Sequence, residues 1–210
     1  MFSRRKLKGA VLLLSGLFLA ILFSFGCAQR VEKKTDETKE TKPSKKEGGD
    51  KKVFVLKSSG LKDGKRMPPK YANKGVSGGE NLSPPFEWKN IPEDTKSFAL
   101  AMVDHHPVAK EFVHWLVINI PASVNSIEEG ASGAGKVPPG SRELNTDYGV
   151  PKYGGPRPPA GTGNHPYETT IYALNVESLE LSQNVSLDQF LAALEGKVLA
   201  KSSLTSMFSQ

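Results

Sequence analysis

The stretch Ser97-Phe98-Ala99-Leu100-Ala101-Met102-Val103, running into Asp104-His105-His106-Pro107, decides the fold together with Phe112-Val113-His114-Trp115-Leu116-Val117-Ile118-Asn119-Ile120. Both apolar runs lack a polar face, which suits strands buried on two sides rather than an amphipathic surface element. Each is short, and a turn or proline ends it. A third such run is Thr169-Thr170-Ile171-Tyr172-Ala173-Leu174-Asn175-Val176. Val53 to Leu56 and Phe86 to Trp88 read as shorter strands, and Val198 to Phe208 as a returning one. One helix is predicted: Ser186 stands three residues before Gln189 in a capping-box arrangement, Leu187, Phe190, Leu191 and Leu194 share a face, and Gly196 ends it. Strands without a regular β-helix-β alternation predict a mostly β sandwich with a peripheral C-terminal helix.

Before Val53 the composition changes. Arg4, Arg5, Lys6 and Lys8 precede an apolar run from Ala10 to Phe25, which reads as an export signal over residues 1–27. It closes on Ser24-Phe25-Gly26-Cys27, which resembles a lipobox, and Cys27 is the only cysteine. Lipidation at Cys27 would place the chain in the cell envelope as a membrane-anchored lipoprotein facing the periplasm or cell exterior. Residues 28–52 are Lys, Glu, Thr, Ser, Gly and Asp with few apolar side chains, the pattern of a disordered tether. The folded domain is expected over 53–210. Residues 1–52 carry 13 Lys/Arg against 6 Asp/Glu, whereas 53–210 carry 15 against 16. The basic excess therefore sits beside the membrane, and the near-neutral domain gives no footprint for nucleic acid.

The four histidines fall in two regions, His105, His106 and His114, then His165. Strand parity puts Asp104 on the face of Phe98, Leu100 and Met102, and His114 on that of Phe112, Leu116 and Ile118. A polar side chain inside an apolar strand needs a partner, and Asp104 is the expected one for His114. His165 and Tyr167 end a Gly/Pro-rich loop, Pro151 to Tyr167, whose backbone N–H groups suit an anion. A pocket for a small anion is one reading of these residues. A zinc site is another, although no spacing matches a zinc signature. A hydrolase lacks the Gly-x-Ser-x-Gly elbow.

Three stretches then point together. Asn81-Leu82-Ser83-Pro84-Pro85-Phe86-Glu87-Trp88, Asp104 with His114-Trp115 and Asn119-Ile120-Pro121, and Tyr153-Gly154-Gly155-Pro156-Arg157-Pro158-Pro159 through His165-Pro166-Tyr167 resemble, in order and spacing, the phosphatidylethanolamine-binding protein family and its bacterial Raf-kinase-inhibitor-like branch. The resemblance implies a sandwich of a large central sheet and a smaller one, and a non-enzymatic protein without a cofactor. It implies a pocket for a small anionic or phosphorylated ligand such as a phospholipid head group. Its residues would be Asp104, His114, Arg157, His165 and Tyr167, with Pro84 and Pro85 nearby. It also implies, as an alternative, a protein partner: inhibition of a protease or envelope protein in the manner of kinase-inhibitor-like relatives. This chain departs from the family at His106, where Asp is usual, and at Pro166, where Arg is usual.

Overall fold

A computed structural model describes residues 52–210. Residues 1–51, which carry the export signal, Cys27 and nearly all of the tether read from the sequence, lie outside the described residues. The strands run in the order β1 (Val55–Lys57), β2 (Phe86–Lys89), β3 (Ser97–Asp104), β4 (Phe112–Pro121), β5 (Ser126–Ile127), β6 (Arg142–Glu143) and β7 (His165–Leu174). Helix α1 (Leu187–Leu194) and strand β8 (Val198–Phe208) complete the chain.

Two sheets form. The larger has five strands in the order β6-β4-β3-β7-β8, and the smaller has three in the order β1-β2-β5. The paired strands are antiparallel throughout. The two apolar runs of the sequence, β3 and β4, are central in the large sheet, which explains their lack of a polar face. Phe98, Leu100 and Met102 point toward the small sheet and pack with Trp88, Trp115 and Ile171. Trp88 meets Phe98 edge-on at 5.2 Å, a geometry favoured by the ring quadrupoles. Ala99, Ala101 and Val103 point the other way, into a second core closed by Phe190 and Leu194 of α1 and by Leu179.

Helix α1 begins as its capping box predicts. The Ser186 hydroxyl accepts from the Gln189 backbone, and the Gln189 side chain accepts from the Ser186 backbone. The helix buries Phe190 and Leu194, while Leu191, expected on the same face, is 41 % exposed. Eight residues make two turns, too short for a stripe wide enough to bury all four apolar positions.

Irregularities in β4 position the site. The register runs Met102↔Trp115 and then Val103↔Val113, which leaves His114 as the extra residue of a β-bulge. A bulge breaks the two-residue period and re-aims one side chain. Trp115 and Val117 face the inter-sheet core, and Leu116 and Ile118 face the helix side. His114 does not share the face of Leu116 and Ile118, as strict alternation predicts. The bulge turns it toward Tyr167 of β7, ring to ring at 5.0 Å.

Candidate functional site

The ends of three adjacent strands of the large sheet meet here. Asp104, the last residue of β3, is paired in register with Phe112 of β4 on one side and Tyr167 of β7 on the other. His165 opens β7 two residues before Tyr167, so the two share a face. The Gly/Pro-rich loop thus ends at His165: both aromatic residues belong to a strand, and the segment before them forms the opposite wall. Between lies a cavity of about 280 Å³, lined by Asp104, His114, His165 and Tyr167, by Val108, Ala109 and Phe112, and by Tyr148, Arg157, Pro158 and Pro159.

The cavity floor is a buried pair of side chains, Asp104 and His165. Nδ1 of His165 lies 2.6 Å from Oδ2 of Asp104, and both side chains are almost fully enclosed. The other oxygen, Oδ1, accepts from the His106 backbone at 2.9 Å. On its far side, Nε2 of His165 lies 2.9 Å from the Thr162 hydroxyl, which itself donates to the Pro159 carbonyl at 2.7 Å. Asp104 and Thr162 thus hold the His165 ring at both of its nitrogens. The His106 ring stacks on His165 at 3.8 Å and braces it from outside.

Asp104, expected to partner His114, is thus committed to His165. His114 has a different partner: its Nδ1 lies 2.5 Å from the carbonyl of Gly154. A carbonyl only accepts, so Nδ1 carries the proton and Nε2 keeps a lone pair. Burial is the main cause that lowers the His114 pKa from 6.5 to about 4, outweighing the Gly154 carbonyl and the nearby Asp104 and Asp147 carboxylates. Burial also pushes the Tyr148 phenol up to about 12, and pushes the Tyr167 phenol up further with the help of the Asp104 charge. The Tyr167 hydroxyl is buried beside the Asp104 carboxylate and makes no well-formed hydrogen bond among the described residues. Arg157, exposed at the rim, is the one cationic side chain in the lining apart from the histidines.

The far wall is held by the first of the three sequence motifs. The Asn81 side chain accepts from Gly155 N at 2.7 Å and donates to the Tyr153 carbonyl at 3.2 Å. Asn73 N donates to the Pro156 carbonyl, and the Tyr153 hydroxyl donates to the Tyr71 carbonyl. Two glycines are required by contact. A Cβ on Gly155 would lie 2.2 Å from the Tyr71 carbonyl oxygen, and one on Gly154 would lie 2.1 Å from the Tyr148 ring.

Pro84 and Pro85, expected near the pocket, are not in its lining. They lead into β2 of the small sheet, where Pro85 accepts from the Ser58 hydroxyl at 2.5 Å and borders a separate surface cleft. The pocket sits at the ends of large-sheet strands, so a residue entering the small sheet is not placed to reach it. Phe112 and Tyr148, by contrast, are not among the expected pocket residues, yet they stand T-shaped at 4.9 Å and form one side of the cavity. A wider and more open cleft of about 540 Å³ lies beyond Tyr148, lined in part by Lys74 and Lys152. It lacks the buried polar groups that distinguish the smaller cavity. Among the described residues no cluster of three or more His, Cys, Asp or Glu is placed to hold a metal.

Residues 57–209 match the family model described as phosphatidylethanolamine-binding protein. A UPF0098 protein of Methanothermobacter thermautotrophicus is 36% identical over 153 residues, covering 73% of this chain and 97% of the relative. The UPF0098 protein YbhB of Escherichia coli is 33% identical over 157 residues, covering 73% and 99%. Among solved structures, Escherichia coli YbcL, titled a new member of the mammalian PEBP family, superposes with a TM-score of 0.70 at 29% identity, covering 76% of this chain and 99% of that one.

Proposed function

This chain belongs to the phosphatidylethanolamine-binding protein family, and from that premise we propose that it is an envelope-anchored binding protein whose cavity takes a small anionic or phosphorylated group, such as a phospholipid head group. One observation carries the reading. A small cavity joins Arg157 at its rim to the buried Tyr167 hydroxyl, which makes no well-formed hydrogen bond among the described residues. A buried hydroxyl without a hydrogen bond is costly, by about 1–3 kcal/mol, and a ligand oxygen would satisfy it. Arg157 adds a cationic side chain to the lining at the rim. The volume suits a head group and leaves the acyl chains outside.

Calorimetric titration of the full-length chain with inorganic phosphate tests this. Saturable one-to-one binding is expected, weakened several-fold by Arg157→Gln at the rim. Absence of binding to phosphate and to phosphorylated head groups would count against the reading.

The anchoring half rests on the signal-like residues 1–27 and on Cys27, and it places the domain outside the cytoplasmic membrane. Radiolabelled palmitate should enter the wild-type chain and not Cys27→Ser. Equal labelling of the two would remove the anchor from the account.

A further inference from the structure

The acceptor character of His114 sets a condition on the ligand. Nδ1 donates to the Gly154 carbonyl, which leaves Nε2 as a lone pair on the cavity wall without a protein partner among the described residues. An oxyanion with no hydrogen would place its own lone pairs against that of Nε2. Protonating His114 would relieve the clash, but burial opposes it. The charged and titratable groups around this ring are the Asp104–His165 pair on β3 and β7, Asp147, Tyr148 and Arg157 on the wall segment, and Tyr167 on β7. The two carboxylates favour a proton on His114 and His165 opposes it, and together they do not overcome burial.

We propose that the cavity selects oxyanions that carry a proton, a hydrogen phosphate or a phosphomonoester monoanion, whose P–OH donates to Nε2 of His114 while its bare oxygens face Arg157 and the Tyr167 hydroxyl. This rests on the anion-site reading above and narrows it. Phosphodiesters and sulfate, which have no such proton near neutrality, are discriminated against even when their net charge is the same. No bond is made or broken; the ligand arrives with its proton and leaves with it. Among lipid head groups, the selection favours a terminal phosphomonoester over a phosphodiester.

A charge-matched pair tests it. At about pH 5.5 methyl phosphate is mainly a monoanion with one P–OH, because its second ionisation lies near 6. Dimethyl phosphate is also a monoanion and has none. Titrated into the full-length chain, methyl phosphate should bind roughly ten- to a hundred-fold more tightly than dimethyl phosphate or sulfate, the penalty of an unmatched buried acceptor. Raising the pH to about 7.5 should weaken methyl phosphate roughly ten-fold or more as it loses that proton, and should leave dimethyl phosphate unchanged. In the complex, the nitrogen-15 resonance of Nε2 should remain that of an unprotonated ring nitrogen. Dimethyl phosphate or sulfate binding as tightly as methyl phosphate would overturn the selection and leave the anion site standing. So would a doubly protonated His114 in the complex. If no probe binds at either pH, the anion site and the selection fall together.

Discussion

Replacing His114 by Asn removes one titrating group from the core while keeping a side-chain N–H for the Gly154 carbonyl, and its effect on acid stability can be worked out in advance. In the unfolded chain His114 titrates near its ordinary 6.5; in the folded chain burial lowers this to about 4. Between those values the unfolded state binds the proton and the folded state does not. Stability therefore rises with pH in that window: the contribution is complete above about 6.5 and is lost as pH falls through about 4. Two and a half units correspond to about 3 kcal/mol at full effect, of which roughly 2 kcal/mol is already lost at about pH 5 relative to about pH 8. Urea unfolding of both proteins at the two pH values reads it. The variant will be less stable at both, because the smaller side chain leaves space beside Tyr167 and Phe112. The diagnostic quantity is the difference in slope. Wild type should lose about 2 kcal/mol more than His114→Asn between about pH 8 and about pH 5. Equal losses would refute the assignment of His114 as a buried neutral ring.

Other consequences follow from the same contacts. His165→Ala leaves the Asp104 side chain buried without its His165 partner and should cost about 3 kcal/mol or more in urea unfolding; adding Asp104→Asn should recover part of that loss, and no recovery would argue against a buried carboxylate that depends on His165. Gly155→Ala drives a Cβ into the Tyr71 carbonyl, so it should displace the Tyr153–Arg157 wall, lower the melting temperature and abolish phosphate binding together. Ser186→Ala removes the N-cap of α1 and should cost about 1 kcal/mol in thermal unfolding without altering phosphate affinity.

Much of the fold is legible in the sequence because its signals are local. The two-sided apolar runs become β3 and β4 at the centre of the five-stranded sheet, and the Ser186–Gln189 spacing becomes a helix cap. The site is legible in composition and less so in pairing. Asp104, His114, Arg157, His165 and Tyr167 all line one cavity. The expected Asp104–His114 contact assumed unbroken alternation, and the bulge at His114 removes it. Bulges of this kind leave no mark in an apolar run, since either face is acceptable to its neighbours. His165, two strand residues from Tyr167, takes the carboxylate instead, a long-range partnership of 61 residues that periodicity does not reach. Tyr148 is a different case. It sits in a turn, Asp147-Tyr148-Gly149, where an aromatic residue beside a positive-φ glycine is an available hint of a packed loop. Asn81, quoted only as part of a motif, proves to be the clamp on the far wall.

The most direct test is a crystal structure of the full-length chain grown with inorganic phosphate. The account predicts one phosphate in the cavity at the ends of β3, β4 and β7, with an oxygen in hydrogen-bond range of Nε2 of His114 and another facing Arg157. An empty cavity, with phosphate held instead in the wider cleft beside Lys74 and Lys152, would contradict it.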